Sequence, residues 1–303
     1  MSTSTTTGTL FKPELVREMF SKVKGHSALA KLCNASPMPF AGSEIFVFSM
    51  DGEASIVGEG ASKPAGDAAF TPVTIKPIKF VYQHRLTDEF VRTSEEKQLQ
   101  YLQQFSDGFA KKIARGLDIA GFHGVNPASG SASAIVGTNC FVSAVPSANV
   151  IEIDTTSPIN PDDAIDEAAQ KIVIANGIVN GVAMSPAFGA EIGSMKTHDS
   201  NLPIYPEFRF GANPAAFCGL PSDINNTVSF VAANKLKAIV GDFQNAFRWG
   251  YAENIPLEII QYGNPDGLGD LKQTNQIVLR AEAYIGWGIL DPASFAIIKD
   301  DDE

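Results

Sequence analysis

Residues 93–124 read TSEEKQLQYLQQFSDGFAKKIARGLDIAGFHG, and this stretch decides the fold. Thr93-Ser-Glu-Glu96 has the form of a capping box, with a hydroxyl at the N-cap and a carboxylate three residues on. Leu102, Phe105, Phe109, Ile113 and Leu117 then recur at spacings of three and four, which places them on one helix face. Lys97, Gln104, Lys111 and Arg115 each lie two positions from an apolar residue of that face. Two positions rotate a helix by ~200°, so these residues form the opposite face. The expectation is one amphipathic helix of about 25 residues, well above the usual mean of about 11–12. Taken alone, it is a core helix with a solvated basic face. Gly121 to Ser133 follows as a loop by composition.

Upstream, Ile45-Phe-Val-Phe48 reads as strand, and strand character returns at Phe70 with Val73, Ile75, Ile78, Phe80 and Tyr82. Between them lies a polar stretch with Gly52, Gly58, Gly60, Pro64 and Gly66. The pattern is a long hairpin with a wide tip, which has too little core to stand alone. Its tip carries Glu59, Lys63 and Asp67, charges in a segment with no local core, which suggests contact with neighbouring subunits. Before the hairpin, Lys12, Arg17, Lys22, Lys24 and Lys31 make the N-terminal arm mildly basic, and Phe11 to Leu32 could hold a short helix.

Downstream, a composition shift near Ile159 marks a boundary. Asn160-Pro-Asp-Asp163 begins a helix with Asn at the N-cap, Pro at the first position and acids in the first turn. Ile165, Ala168, Ala169 and Ile172 give that helix its face, and Gly177 ends it. Val182-Ala-Met184 is a strand, and Pro186 opens another helix, so this is an α/β unit. Asn201 to Gly219 is a long loop containing Phe208, Arg209 and Phe210. Loops of that length inside compact domains are usually functional. Lys237 to Val240, Phe247 to Ile260, Ile277 to Ile285 and Ser294 to Ile298 are strands or strand-like, and Asn264-Pro-Asp-Gly-Leu-Gly269 is a turn cluster.

Composition excludes several classes. Apolar residues make up 44% of 303, enough for a buried core. No apolar run approaches the ~18 residues of a membrane helix, and Met1-Ser-Thr-Ser lacks the features of a secretory signal, so a cytoplasmic folding site is expected. A net charge of −11 argues against a dedicated nucleic-acid binder, although not against a protein that encloses nucleic acid without sticking to it. Cys33, Cys140 and Cys218 are read as reduced core residues.

Catalytic and cofactor motifs are missing. There is no G-x-S-x-G, P-loop or H-E-x-x-H. Gly58-Glu-Gly60-Ala-Ser-Lys63 starts like a dinucleotide fingerprint, but Lys63 stands where the third glycine belongs. His26, His84, His123 and His198 have no ligand spacing. Asp266-Gly-Leu-Gly-Asp270 is a turn, too short for an EF-hand loop. No catalytic residue, metal or cofactor is expected.

The order of parts resembles the major capsid proteins of tailed bacteriophages, with the fold named after phage Hong Kong Ninety-Seven. Four stretches carry the resemblance: Glu59-Gly-Ala-Ser-Lys-Pro64 with Phe70-Thr-Pro-Val-Thr, Leu86-Thr-Asp-Glu-Phe-Val-Arg-Thr93, Leu117-Asp-Ile-Ala-Gly-Phe-His-Gly124 with Pro127, and Gly219-Leu-Pro221 with Gly241-Asp-Phe243 and Asp291-Pro-Ala-Ser-Phe-Ala296. It spans roughly Glu44 to Lys299.

The resemblance implies an α+β fold in four parts. These are an N-terminal arm (1–43), an extended hairpin (44–86), a peripheral lobe with a spine helix (87–159 and 263–303) and an inserted axial α/β lobe (160–262). It implies a virion shell, assembled in the bacterial cytoplasm from pentamers and hexamers of this chain around double-stranded DNA. The hairpin tip would lie on a neighbour. Phe208 and Phe210 would offer aromatic anchors, and Arg209 a charge, to the next copy at the capsomer axis. Lys97, Lys111 and Arg115 would face DNA phosphates. A portal and a decoration protein are further partners in this picture, and no membrane is.

Some relatives carry a long N-terminal scaffolding segment that is removed. The hairpin here begins about 43 residues from Met1, so the expectation is a separately encoded scaffold or none. Other relatives join a hairpin lysine covalently to an asparagine of another subunit. Lys63 is the sole tip lysine and nothing marks a partner, so no cross-link is expected. Two rivals are an encapsulin-like nanocompartment, separable by its gene neighbours, and a cytoplasmic α/β hydrolase, which would be monomeric with a compact active-site pocket.

Overall fold

The computed structural model describes residues 26–301, apart from 52–53, 93–94, 155, 157 and 252–256. The basic arm to Lys24 and the Thr93-Ser94 half of the capping box lie outside the described residues. Helix α1 (Ala28–Leu32) leads to strands β1 (Ser43–Asp51), β2 (Asp67–Ile75) and β3 (Ile78–Thr87), then to helix α2 (Glu95–His123). A short helix α3 (Phe141–Ala144) and β4 (Val150–Ile153) precede α4 (Pro161–Ile174), β5 (Gly181–Met184) and α5 (Pro186–Ser194). Strands β6 (Ala216–Phe217), β7 (Leu220–Ile224), β8 (Leu236–Gly241), β9 (Phe247–Tyr251), β10 (Leu257–Ile260), β11 (Gln276–Ile289) and β12 (Phe295–Asp300) complete the chain.

Three sheets organise these elements. β1 and β2 form a two-stranded antiparallel hairpin, from Ser43 opposite Ile75 to Asp51 opposite Asp67. In the second sheet β11 pairs antiparallel with β3, β10 and β9. The third is six-stranded, in the order β4-β12-β8-β5-β7-β6, and mixed. The sheets cross the boundaries expected at 160 and 262. β4 and β12 lie outside that range but belong to the six-stranded sheet with β5 and β8, while β9 lies within it and pairs with β11.

The six-stranded sheet is apolar on both faces, and the two-residue period of its strands feeds two cores. Ala183, Leu236, Ile239, Phe295 and Ile297 point into the core containing α1, α2, α3 and β11. Val182, Met184, Ala238, Val240, Ala296 and Ile298 point into the core under α4 and α5. Phe141 of α3 is the hub of the first, with Phe122, Phe243, Phe247 and Phe295 rings 4.9–6.0 Å away.

α2 runs 29 residues, close to the expected length. Leu102, Phe105, Phe109, Ile113 and Leu117 are all buried, as their spacing requires. α4 starts with Pro161 as expected, but Asn160 makes no side-chain cap and instead donates to Asp163 at 2.9 Å. Its other end is a Schellman turn in which Asn176 adopts φ +59 and Gly177 N–H reaches Ile172 O at 2.9 Å.

Two sequence expectations shift. Leu32 was placed in the arm, yet α1 is buried between α2 and the six-stranded sheet, because Asp118 of α2 accepts the N–H groups of Ala28 and Leu29 at 2.8 and 3.2 Å. Cys33 and Cys140 are buried, but Cys218 is exposed. With Gly219 it forms the β6–β7 turn at φ +48 and +88, a primed turn whose geometry turns Cys218 outward.

Candidate assembly surfaces

The hairpin is pinned only at its root. Ile75 is buried, its side chain packed over Gly286 and Gly288 of β11, where a Cβ would stand 2.9–3.1 Å from Ile75 or neighbouring atoms. Beyond the root the register puts Phe46 opposite Pro72 and Phe48 opposite Phe70, all on one face. The Phe48 and Phe70 rings meet at 4.8 Å, yet Phe46, Phe48 and Phe70 are 62%, 50% and 68% exposed. Residues 54–66 of the tip are exposed throughout, Glu59 and Lys63 among them. Asp67 forms the last pair of the ladder, opposite Asp51.

The structure divides the trio at 208–210. Phe208 is buried within its own lobe, with its ring edge-on to Phe217 at 5.5 Å. Gly193 of α5 permits this, because a Cβ there would stand 2.5 Å from Phe208 O. Phe210 is 98% exposed at φ +60, with the Arg209 guanidinium 5.3 Å from its ring centre. The aromatic ring available to another copy is therefore that of Phe210, and Phe208 holds the loop in place.

On α2, Lys97 and Lys111 are exposed and Arg115 is partly buried. Arg115 Nη1 donates to Asn226 Oδ1, on the turn after β7. Sequence reasoning missed this partner, 111 positions away.

The buried polar groups serve the fold. His123 Nε2 donates to Thr227 O at 3.1 Å and its Nδ1 accepts from Asn234 at 2.9 Å, while burial pulls its pKa down. Arg85 grips Asp266 through two nitrogens at 2.5 and 2.7 Å and Gly269 O at 2.8 Å, tying the 263–270 turn to β3. The Arg85 bond holds the Asp266 carboxyl down at about 2. No cluster of His, Cys, Asp and Glu that could hold a metal ion occurs among the described residues. No helix among them is long and apolar enough to cross a membrane.

A hairpin with an uncovered aromatic face, on a body whose cores are otherwise closed, defines a subunit that other subunits complete. The phage capsid family model matches residues 7–300, and the chain belongs to that family. A solved structure from Mycobacterium phage Ogopogo is 34% identical, with a TM-score of 0.77 over 91% of this chain and 92% of that one. One from Gordonia phage Cozz is 25% identical, with a TM-score of 0.74 over 91% and 86%. The capsid of a native GTA particle shares the fold at 16% identity and a TM-score of 0.65, covering 90% and 89%. No curated protein matches the chain. It is a structural major capsid protein of the virion shell, not an enzyme, and it self-assembles.

Proposed function

We propose that this chain forms pentamers and hexamers of an icosahedral shell around double-stranded DNA, with each hairpin laid on a neighbouring subunit. One observation carries the reading: the aromatic face of Phe46, Phe48 and Phe70 is uncovered. Covering a phenylalanine side chain removes it from water and contributes about 1.5–3 kcal/mol before the costs of association. A second copy is the partner that every subunit of a shell has in reach.

The remaining assignments follow from the same reading. Residues 160–262 supply the axial lobe, and Phe210 with Arg209 reaches the next copy around the capsomer axis. Lys97, Lys111 and Arg115 face the packaged DNA and contact phosphates, since nothing on this face offers a base-reading side chain at a groove. Portal, a separately encoded scaffold and a decoration protein complete the set of partners.

Deleting Gly58 to Gly66 is the test. Circular dichroism of the deletion is expected to match the parent, because these residues pack on nothing of their own chain. Electron microscopy should show subunits or capsomers without closed shells. Normal shells would remove the hairpin from the assembly mechanism.

A further inference from the structure

We propose that the cleft between α2 and the turn after β7 is a binding site for a single phosphate group. The inference rests on the DNA-facing reading of α2 only for the source of that phosphate, the duplex backbone.

The cleft is a cavity of about 500 Å³ whose wall includes His26, Lys111, Arg115, Asn213, Asn225 and Asn226. Lys111 and Arg115 are four residues apart on α2, hence neighbours on one helix face. Asn226 Oδ1 takes one hydrogen of Arg115 Nη1, which holds the guanidinium at the cleft and leaves the rest of its fork to a ligand. Asn225 shapes the wall, donating to His26 O at 3.3 Å and accepting from Thr227 N at 3.2 Å.

The charge balance of the cleft is unusual for this chain. It has 34 acidic and 23 basic residues, yet no carboxylate pairs with Lys111 or Arg115 among the described residues. Asp223, on the cleft wall, is already engaged by Lys31 Nζ at 2.7 Å and Asn213 Nδ2 at 3.0 Å. An ammonium and a guanidinium fork beside amides match a tetrahedral oxyanion, and no aromatic ring lines the cleft other than the His26 imidazole. A base stack therefore has no apolar platform here, and the ligand is phosphate rather than nucleobase.

Lys97 supplies the internal control. It shares the helix face but lies fourteen residues away, about 21 Å along the axis, outside the cleft.

The experiment uses unassembled full-length subunits and the variants Lys97→Gln, Lys111→Gln, Arg115→Gln and Arg115→Lys. Inorganic phosphate is titrated with phosphorus NMR line width as the readout, then a short DNA duplex by fluorescence anisotropy over a range of salt. Phosphate binding is expected to weaken about tenfold in Lys111→Gln and Arg115→Gln, less in Arg115→Lys, which keeps the charge but loses the fork, and not in Lys97→Gln. Duplex binding should follow, with the salt slope falling by about one for each of the two Gln variants. An equal loss in all three Gln variants, or no phosphate binding by the parent, overturns the site. Filled-particle maps separate the two readings. Phosphate binding that needs Lys111 and Arg115, with packaged DNA on the other side of the shell, upholds the site and removes the genome as its source. DNA along α2 with phosphate binding indifferent to these residues does the reverse.

Discussion

Asp118 is a carboxylate in the middle of the core, flanked on α2 by the buried Leu117 and Ile119. It accepts from Ser27 Oγ, from the backbone of Ala28 and Leu29, and from Thr227 Oγ1 at 2.9 Å, so it caps α1 and ties three distant segments together. Helical periodicity could not reveal this role, because the donors lie 90 and 109 positions away. Burial pushes its pKa from 3.8 up to about 6, against the pull of those four donors. The folded state then binds the proton more tightly than the unfolded chain. Stability from this group is full below pH 3.8 and is lost as pH rises to about 6, on the order of 3 kcal/mol in all. Asp118→Asn is expected to abolish that slope in urea titrations of unassembled subunits at pH 4 to 7. It should leave the opposite loss below the ordinary histidine range, which His123 causes because burial keeps it neutral. Asp118→Ala strands the α1 N–H groups and should cost about 1–3 kcal/mol at every pH. Phe208 and Phe210 give the same lesson at another position. Two aromatics separated by one arginine look alike in sequence, and only the close approach of Gly193 decides which ring is buried.

Among the elements, the long helix was legible because its apolar face repeats over many turns, and each repeat reports the same neighbour, the core. The α/β unit was legible from Pro161 and Pro186 at helix starts around an apolar strand. Sheet membership was not legible, since β12 and β11 read alike as apolar strands while one joins the six-stranded sheet and the other pairs with β3. Pairing partners are chosen by tertiary packing, which a strand's own residues do not encode. Two element-scale outcomes are expected. In Gly193→Ala the new methyl meets Phe208 O, so α5 and the 206–211 turn must separate, at about 1–3 kcal/mol in chemical denaturation. Unchanged stability would show that the turn moves freely. The triple variant Phe46→Ser, Phe48→Ser, Phe70→Ser should denature within about 0.5 kcal/mol of the parent, because these rings are exposed in the subunit. Analytical ultracentrifugation should nevertheless find few shells, whereas shells at parental yield would show that the stripe contacts no neighbour.

For the whole molecule, the charge of −11 and the basic face of α2 pose opposite demands that a shell around a polyanion reconciles. A net negative subunit repels nucleic acid at a distance and so avoids trapping it, while a few cations set on one helix hold phosphates that packing forces against them. The fold meets both demands by placing Lys97 and Lys111 in solvent and tethering Arg115 to Asn226 alone. None of the three supports a core, and exposed charges contribute little to folding, typically within about 1 kcal/mol. Replacing all three with Gln is therefore expected to leave subunit denaturation and shell assembly as in the parent. The change should appear where DNA is pressed against the wall: filled particles of the variant should release their genomes at lower temperature than parental ones at low salt. The difference should shrink as salt is raised, because added salt screens the parental phosphate contacts too. Release temperatures that match at every salt concentration would place this helix face away from the genome. A deficit that persists unchanged at high salt would instead assign the three residues to contacts between subunits.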